Sequence, residues 1–434
     1  MKHPETKPTF VISCPIDCYS GYSARSRDIV KALIELDKYD VKIIPQRWGN
    51  TPMGFIQDNP EWAFLIPHLL PTPQLTAQPD IWCQISIPSE FQQVGKYNIG
   101  ITAGIESTIA PADWVEGCQR MNLVLGSSKH SIEVLKKSKF EKRDQNTQQV
   151  MGYVEWTGDS EILFEGANTE IYKPDSKPCM VDFNVKEDFA YLFCGHWIGN
   201  TPIGEDRKNI SLLIKGFYET FKNKTKKPAL ILKTSQVGSS YMDRDRIIKM
   251  IQAIKSTVNS TNLPNIYLLH GEFTDEEMNS IYNHSKVKAM VSLTKGEGFG
   301  RPLLEFSLTN KPIITTNWSG HTDYLNADFT TLLPGNMTKI HPAAANNMLL
   351  ADAEWFSVDY GQVGYHLKDM YENYKNYVDK GKRQGYYSRT NFSFDKMREK
   401  LDEVLTAKLP EFPKQSPLVL PKLKKINLPK LQTK

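Results

Sequence analysis

The chain has 434 residues, 40% of them hydrophobic, and a formal charge of +4. At about 100–200 residues per domain, that length implies two or three domains with cores of their own. No apolar run approaches the ~20 residues of a membrane span, and the polar residues 1–9 contain no signal-peptide core. A cytoplasmic protein is therefore expected. Charge is unevenly placed. Residues 411–434 hold Lys414, Lys422, Lys424, Lys425, Lys430 and Lys434 against the single acid Glu411, a net of +5 that leaves −1 for the remainder. Pro413, Pro417, Pro421 and Pro429 exclude a regular helix there. Such a tail is either a solvated end or a contact for a phosphate backbone or anionic surface. Of the cysteines, Cys14 and Cys18 are close in sequence, but no second pair completes a metal-site spacing. Free buried thiols are expected.

In chain order, residues 9–13 read as a buried strand, Cys18 to Tyr22 as a turn, and the run through residues 28–33 as a helix. Further strand-like runs occupy residues 41–44, 81–87, 98–102 and 123–126. A polar, proline-bearing stretch at residues 173–178 marks the expected domain boundary. The second half repeats the logic, with strands at 190–194, 230–233, 266–269, 289–293 and 312–315, and helices at 210–221, 244–255 and 275–283. A last helix is expected at 394–405. Strands alternating with helices imply parallel sheets covered on both faces. Two such α/β, Rossmann-like domains would face each other across a cleft at the carboxyl ends of their strands.

The most specific stretch begins at Glu297 and ends at Glu305, with Gly298, Phe299, Gly300, Arg301 and Pro302 between them. An apolar strand at 287–293 precedes it, and a helix at 302–308 with proline in its first turn follows. Strand, glycine loop and helix in that order present backbone N–H groups to an anion such as a diphosphate. Carboxylates repel phosphate, so the two glutamates make better sense as acceptors for hydroxyl groups. Phosphate and hydroxyls together describe a nucleotide sugar. Arg207 and Lys208 follow the strand that ends at Gly195, where cations would stabilise a departing diphosphate. Taken alone they also fit a solvated cluster with Glu205 and Asp206. Asp243 and Asp245 have a paired-acid, metal-site spacing, but they open a helix after Ser240, where acids favour the dipole. No metal is expected.

The Glu297–Glu305 spacing resembles the donor signature of the retaining nucleotide-sugar glycosyltransferases of family 4, whose architecture is GT-B. That resemblance implies an acceptor-side domain over residues 1–175, a nucleotide-sugar domain over 176–385, a helix at 386–410 returning to the first domain, and the basic tail at 411–434. It implies that Glu305 bonds the nucleotide ribose and Glu297 the sugar hydroxyls. Backbone N–H groups of Gly298, Phe299 and Gly300 would face sugar or phosphate. Lys208 and Arg207 would bind the diphosphate. The family's arginine usually follows the glycine corresponding to Gly195, and His196 stands there instead. Either Arg207 substitutes or the arginine is missing. His270 and Gly271 match the element bordering the base. Ser319 and Gly320 match a loop near base or ribose, beside His321, which could equally be a surface histidine. Ser20, Gly21 and Tyr22 fall where the family has a glycine-bearing, acceptor-side loop. Family members often place a histidine at the cleft, and none occurs here between Leu70 and Ser128. Glu106 occupies that neighbourhood, with a polar role beside the sugar. The implied reaction retains anomeric configuration, needs no metal or cofactor, and uses a nucleotide-diphosphate sugar, taken as a UDP-sugar.

The first half, above all residues 99–124, is also similar to glycosyltransferases of large tailed phages. Some of those decorate hydroxymethylated bases of their own DNA. A hydroxymethylcytosine in double-stranded DNA is then one candidate acceptor, in a host cytoplasm. DNA would need cations for its phosphates, and the candidates are Lys136, Lys137, Lys139, Lys142 and Arg143 with Lys424 and Lys425 of the tail. The base would have to be extruded. The near-neutral body speaks for a glycan, lipid-linked or small-molecule acceptor instead. A non-catalytic nucleotide-sugar-binding module is the reading from another class, and Glu297, Glu305 and Lys208 argue against it. Oligomeric state is not legible in the pattern.

Overall fold

A computed structural model describes residues 7–144, 146–199, 201–236 and 238–412. The first domain is built on a parallel sheet. Its strands are β1 (Thr9–Cys14), β2 (Asp40–Pro45), β3 (Ile81–Ile85), β4 (Tyr97–Thr102) and β5 (Leu123–Gly126). An antiparallel hairpin, β6 (Phe140–Arg143) with β7 (Val150–Val154), stands outside that sheet. The short β8 (Ser160–Ile162) then completes the order β2-β1-β3-β4-β5-β8. Strands buried on both faces are apolar along their whole length; accordingly every residue of β3 and β5 is buried. The run expected to reach residue 87 stops at Ile85, because Pro88 starts a single 3-10 turn.

The second sheet contains β9 (Ala190–Cys194), β10 (Ala229–Lys233), β11 (Ile266–Leu269), β12 (Val287–Ser292), β13 (Ile313–Thr316) and β14 (Thr331–Leu333). Its order is β11-β10-β9-β12-β13-β14, again all parallel. The direction of winding reverses between β9 and β12. Loops leaving the carboxyl ends of those two strands border the crevice where open α/β sheets bind ligands. Those loops carry Arg207 and Lys208 after β9, and Glu297 after β12. An antiparallel pair, β15 (Gly335–Lys339) and β16 (Glu354–Val358), lies beyond.

The helix Phe394–Lys408 crosses back to the first domain. Ser393 caps it by accepting a hydrogen bond from the Lys396 N–H at 3.3 Å. Met397, Leu401, Val404 and Leu405 recur at helical spacing and bury against the β1–β3 side of the first core. Burial of each such side chain contributes about 1.5–3 kcal/mol. Ion pairs from Arg398 to Glu35, and from Lys38 to Asp402 at 2.5 Å, seal its rim. Pro410 follows the last turn and cannot extend the helix. All six cysteines are free, four of them buried. Among the described residues, no helix is long and apolar enough to cross a membrane.

Candidate functional site

The loop after β12 and the short helix Arg301–Ser307 form one wall of the cleft. Gly300 caps that helix at φ 92°, a left-handed angle that glycine adopts without strain. The helix has only seven residues, so its dipole offers little to an anion. Side-chain cations must supply most of that attraction. Two are present. Asp206 is buried and accepts from the N–H groups of Ile210 at 2.7 Å and Ser211 at 3.2 Å. It thereby caps the helix Ile210–Phe221, whose preceding loop carries Arg207 and Lys208.

Lys208 grips Glu297 with Nζ at 2.5 Å from Oε1 and 2.7 Å from Oε2. Arg207 Nη1 lies 3.8 Å from the same carboxylate and donates to the Gly296 carbonyl at 3.1 Å. Burial works to raise the Glu297 pKa, and Lys208 with Arg207 more than reverses it, holding the carboxyl below its usual range. Ser319 and Gly320 fix the Glu297 backbone from the other side. Ser319 Oγ accepts the Glu297 N–H, and the Gly320 N–H donates to the Glu297 carbonyl, both at 2.9 Å. Gly195 ends β9 beneath Lys208, whose Cε would lie 3.7 Å from a Cβ there.

Glu305 sits one turn along the short helix. Its Oε1 accepts from Arg301 Nε at 2.9 Å, and its Oε2 lies 3.5 Å from the Tyr282 hydroxyl. Burial raises its pKa to about 7 despite Arg301. The Phe299 side chain is core, packed on Tyr324 at 4.8 Å between ring centroids, so only its backbone can serve a ligand. His270 Nε2 pairs with Asp243 Oδ2 at 3.1 Å, which turns its ring to a structural partner, with Gly271 next in the strand-end loop. Asp243 also accepts the Gln236 N–H at 2.9 Å and lies in the first turn of the helix Tyr241–Ser256. These contacts agree with a capping role. No cluster of His, Cys, Asp or Glu suited to a metal occurs among the described residues.

His196 stands where the resemblance expects an arginine. Burial, Lys233 and Lys208 all lower its pKa, so at neutral pH it is no cation. Arg207 is a cation close by, 3.8 Å from Glu297. His321, left open between ligand and surface residue, is buried, with Nε2 2.6 Å from the Thr316 carbonyl.

The first domain closes directly on this wall. Glu106 Oε1 accepts from Arg207 Nη1 at 3.1 Å. Ser127 Oγ donates to the Gly298 carbonyl at 3.1 Å, and the Lys129 N–H donates to Asp323 at 2.8 Å. A Cβ on Gly298 would come within 2.4 Å of the Ala103 carbonyl oxygen, so only glycine permits this approach. His130, which the sequence reading passed over, packs its ring on Trp318 of the other domain at 4.7 Å. Burial lowers its pKa to about 4. It lies two residues past the interval scanned for a cleft histidine.

Ser20, Gly21 and Tyr22, expected on the acceptor side, open the first helix. Ser20 caps the helix Gly21–Leu36, accepting the Ser23 N–H at 3.1 Å. Gly21 is that helix's first residue and shows no left-handed backbone angle. Space is nevertheless open above it, since a Cβ there meets nothing within 4 Å. The Tyr22 hydroxyl is 3.1 Å from Thr102 Oγ1 and accepts the Ala103 N–H at 3.0 Å, so Tyr22 braces the β4 exit. Of the proposed phosphate contacts, Lys137 pairs with Glu133 and Lys139 with Glu155, each at 2.8 Å, and Arg143 pairs with Glu141 at 2.5 Å. Lys136 lies over the Trp156 ring at 5.6 Å, and Lys142 lies on β6. Lys424 and Lys425 lie outside the described residues.

No family model matches this chain, and no curated protein matches it. Solved structures do. HepE from Anabaena, in complex with UDP and glucose, aligns with a TM-score of 0.57 at 11% identity, covering 92% of this chain and 100% of that one. A glycosyltransferase from Rickettsia africae aligns at 0.61 and 12% identity, over 93% of this chain and 99% of its own. Sucrose-phosphate synthase from Thermosynechococcus elongatus aligns at 0.60 and 12% identity, over 92% and 98%. At such identities the likeness establishes architecture. The chain has the GT-B fold, two Rossmann-like domains facing across a cleft.

Proposed function

We propose that this protein is a retaining glycosyltransferase that moves a sugar from a UDP-sugar to an acceptor hydroxyl without a metal ion. The observation that carries the reading is the buried Glu297, held by Lys208 and flanked by Arg207 at the switch point of the second sheet. Similarity to HepE, solved with UDP-glucose as well as UDP, supports the choice of donor. The spacing of Glu297 and Glu305 supports membership of family 4 and retention.

In the proposed reaction the anomeric C–O bond to the diphosphate breaks, and the negative charge moves onto the leaving oxygen. Lys208, held by Glu297, and Arg207, held by Glu106 and the Gly296 carbonyl, stabilise that charge in the role a metal would otherwise fill. The acceptor oxygen forms the new bond on the face the diphosphate leaves, and the departing phosphate takes its proton. No separate base is required. Glu297 would orient the donor sugar through its hydroxyls, and Glu305 the ribose. Glu106 would face the sugar from the opposite domain once the donor engages Arg207.

For the acceptor, the paired states of Lys137, Lys139 and Arg143 favour a glycan, lipid-linked or small-molecule hydroxyl. Hydroxymethylcytosine in DNA is the second reading, resting on the phage resemblance and the lysine-rich tail. Incubation with a panel of nucleotide sugars and hydroxymethylcytosine-containing DNA, read by mass spectrometry of the nucleosides, separates the two. A hexose or pentose mass shift establishes DNA as acceptor; donor hydrolysed to free sugar without it rules DNA out and leaves the first class. Failure of every donor to be consumed, with UDP still bound, would leave a binding module. EDTA should not slow turnover.

A further inference from the structure

Arg301 begins the short helix that carries Glu305, and it reaches both ways across the cleft. Its Nη1 donates to Asp28 Oδ2 at 2.6 Å, on the helix Gly21–Leu36 of the first domain. Its Nε donates to Glu305 Oε1 at 2.9 Å, one turn along its own helix. The same Nη1 lies 4.0 Å from Glu165 Oε2, in the segment that leaves the first sheet. Glu165 in turn is 3.7 Å from Arg25 Nη1, and Arg25 Nη2 donates to the Leu163 carbonyl at 2.8 Å. Every side chain in this chain of contacts is 16% exposed or less.

A guanidinium is a planar fork with several donors in fixed relation, so it can serve two carboxylates in one fixed geometry; an ammonium, a point charge on a flexible stem, does not fix that relation. Arg301 is thus one rigid part shared by a contact within the second domain and a contact between domains. The first orients the carboxylate that we assign to the ribose. The second exists only while the domains are closed. Two equilibria that share one side chain are coupled, and the coupling is reciprocal.

We propose that Arg301 is a positioning residue that links nucleotide binding at Glu305 to closure of the cleft, with Asp28 as its anchor in the opposite domain. This rests on the donor-site reading above. With Asp28 in place, Nη1 is engaged away from Glu305 and Nε alone faces it, leaving the second Glu305 oxygen turned toward Tyr282 and available to a hydroxyl donor. Without Asp28, the fork is free to rotate and take both Glu305 oxygens, competing with the ribose. Asp28 would therefore affect nucleotide affinity without touching the nucleotide.

The test is calorimetric titration of UDP into the full-length protein, the Asp28→Asn variant, Arg301→Lys, and the two combined. Asp28→Asn should weaken UDP binding about 5- to 50-fold, within the usual range of coupling between sites. The double variant should be no weaker than Arg301→Lys alone, since the anchor has nothing left to hold. The rise in melting temperature produced by UDP should shrink in step. A merely structural ion pair would lower the melting temperature equally with and without UDP and leave affinity unchanged. Wild-type UDP affinity in Asp28→Asn, with wild-type UDP binding intact, overturns the coupling alone. If Asp28→Asn does not fold, Arg301→Lys decides: the donor KM must rise more than kcat falls, and an unchanged KM overturns the proposal. Absence of UDP binding in the wild-type protein removes the donor-site reading and the coupling with it.

Discussion

The second domain's wall of the cleft is tied into its own core, whereas the first domain's wall is tied both to its own domain, where Ser127 Oγ and Ser131 Oγ donate to the Ala103 carbonyl, and to the opposite one. Glu297 is held by Lys208, Ser319 and Gly320, all from its own domain. Glu106, Ser127 and Lys129 instead find partners in Arg207, Gly298 and Asp323 across the cleft. A wall supported from behind keeps its geometry when the cleft opens, which suits groups aimed at developing charge. A wall supported from the front as well takes part of its geometry from closure. On the proposed function, donor recognition and acceptor admission would fall to differently built surfaces.

That contrast breaks most visibly in the second domain. Lys208→Ala should lower kcat by about 10²–10³-fold, the usual cost of losing one preorganised charge-stabilising contact, and Glu297→Ala by about 10²-fold through lost orientation of the sugar, while circular dichroism stays unchanged. Activity within tenfold of wild type in both would mean the wall is structural. Next comes the contact between walls. Gly298→Ala places a methyl against the Ala103 carbonyl, where a Cβ would lie only 2.4 Å away. The domains cannot then close fully, and kcat/KM should fall by about 10²-fold, as for a misplacement near 1 Å. A normal value would show that this closed approach is not used in turnover.

Glu106→Gln probes the front-supported wall. Its pair with Arg207 is about a quarter exposed on each side, so solvent limits its worth to roughly 0.2–1 kcal/mol. A change of about fivefold or less in kcat/KM is expected, and a loss comparable to that of Lys208→Ala would place Glu106 in the chemistry itself. The smallest effect is on pH. Glu305 has a folded pKa of about 7 against an ordinary 4.5. The charged form accepts hydroxyls better, so donor KM should fall as pH rises from about 6 to 8, and Glu305→Gln should flatten the profile. The same shift acts on stability in the opposite sense. The protonated form is favoured by folding, so this group's contribution is full below the ordinary pKa and is lost as pH rises through about 7. Melting curves of the wild type and Glu305→Gln across that window measure it.

Long apolar runs made the elements around the donor wall legible. The first four residues of β9 and of β10 are buried and apolar, and β12 is apolar from Ala289 to Val291, so their sequences carry a clear hydrophobic signal. β8 carries none. It has three half-buried residues and joins the sheet only because β5 already presents an edge. The hairpin β6–β7 is largely exposed, and the helix Lys375–Asn391 buries Tyr377 with Gly381, Gln384, Gly385 and Ser388, small and polar residues rather than a hydrophobic stripe. Periodicity has little to detect in either.

By itself the sequence determined the alternation of strands and helices, the pair of glutamates at fixed spacing, and the cations one loop away. Local chain geometry and hydrophobic burial are sufficient causes for those features. Tertiary structure alone decided that Lys208 and Glu297 meet, that His196 is neutral, that Tyr22 braces a strand, and that Arg301 reaches an aspartate 273 positions earlier. Each depends on which charges and dipoles become neighbours after burial. Electrostatic energy follows distance and dielectric in space, and neither is written in the order of residues.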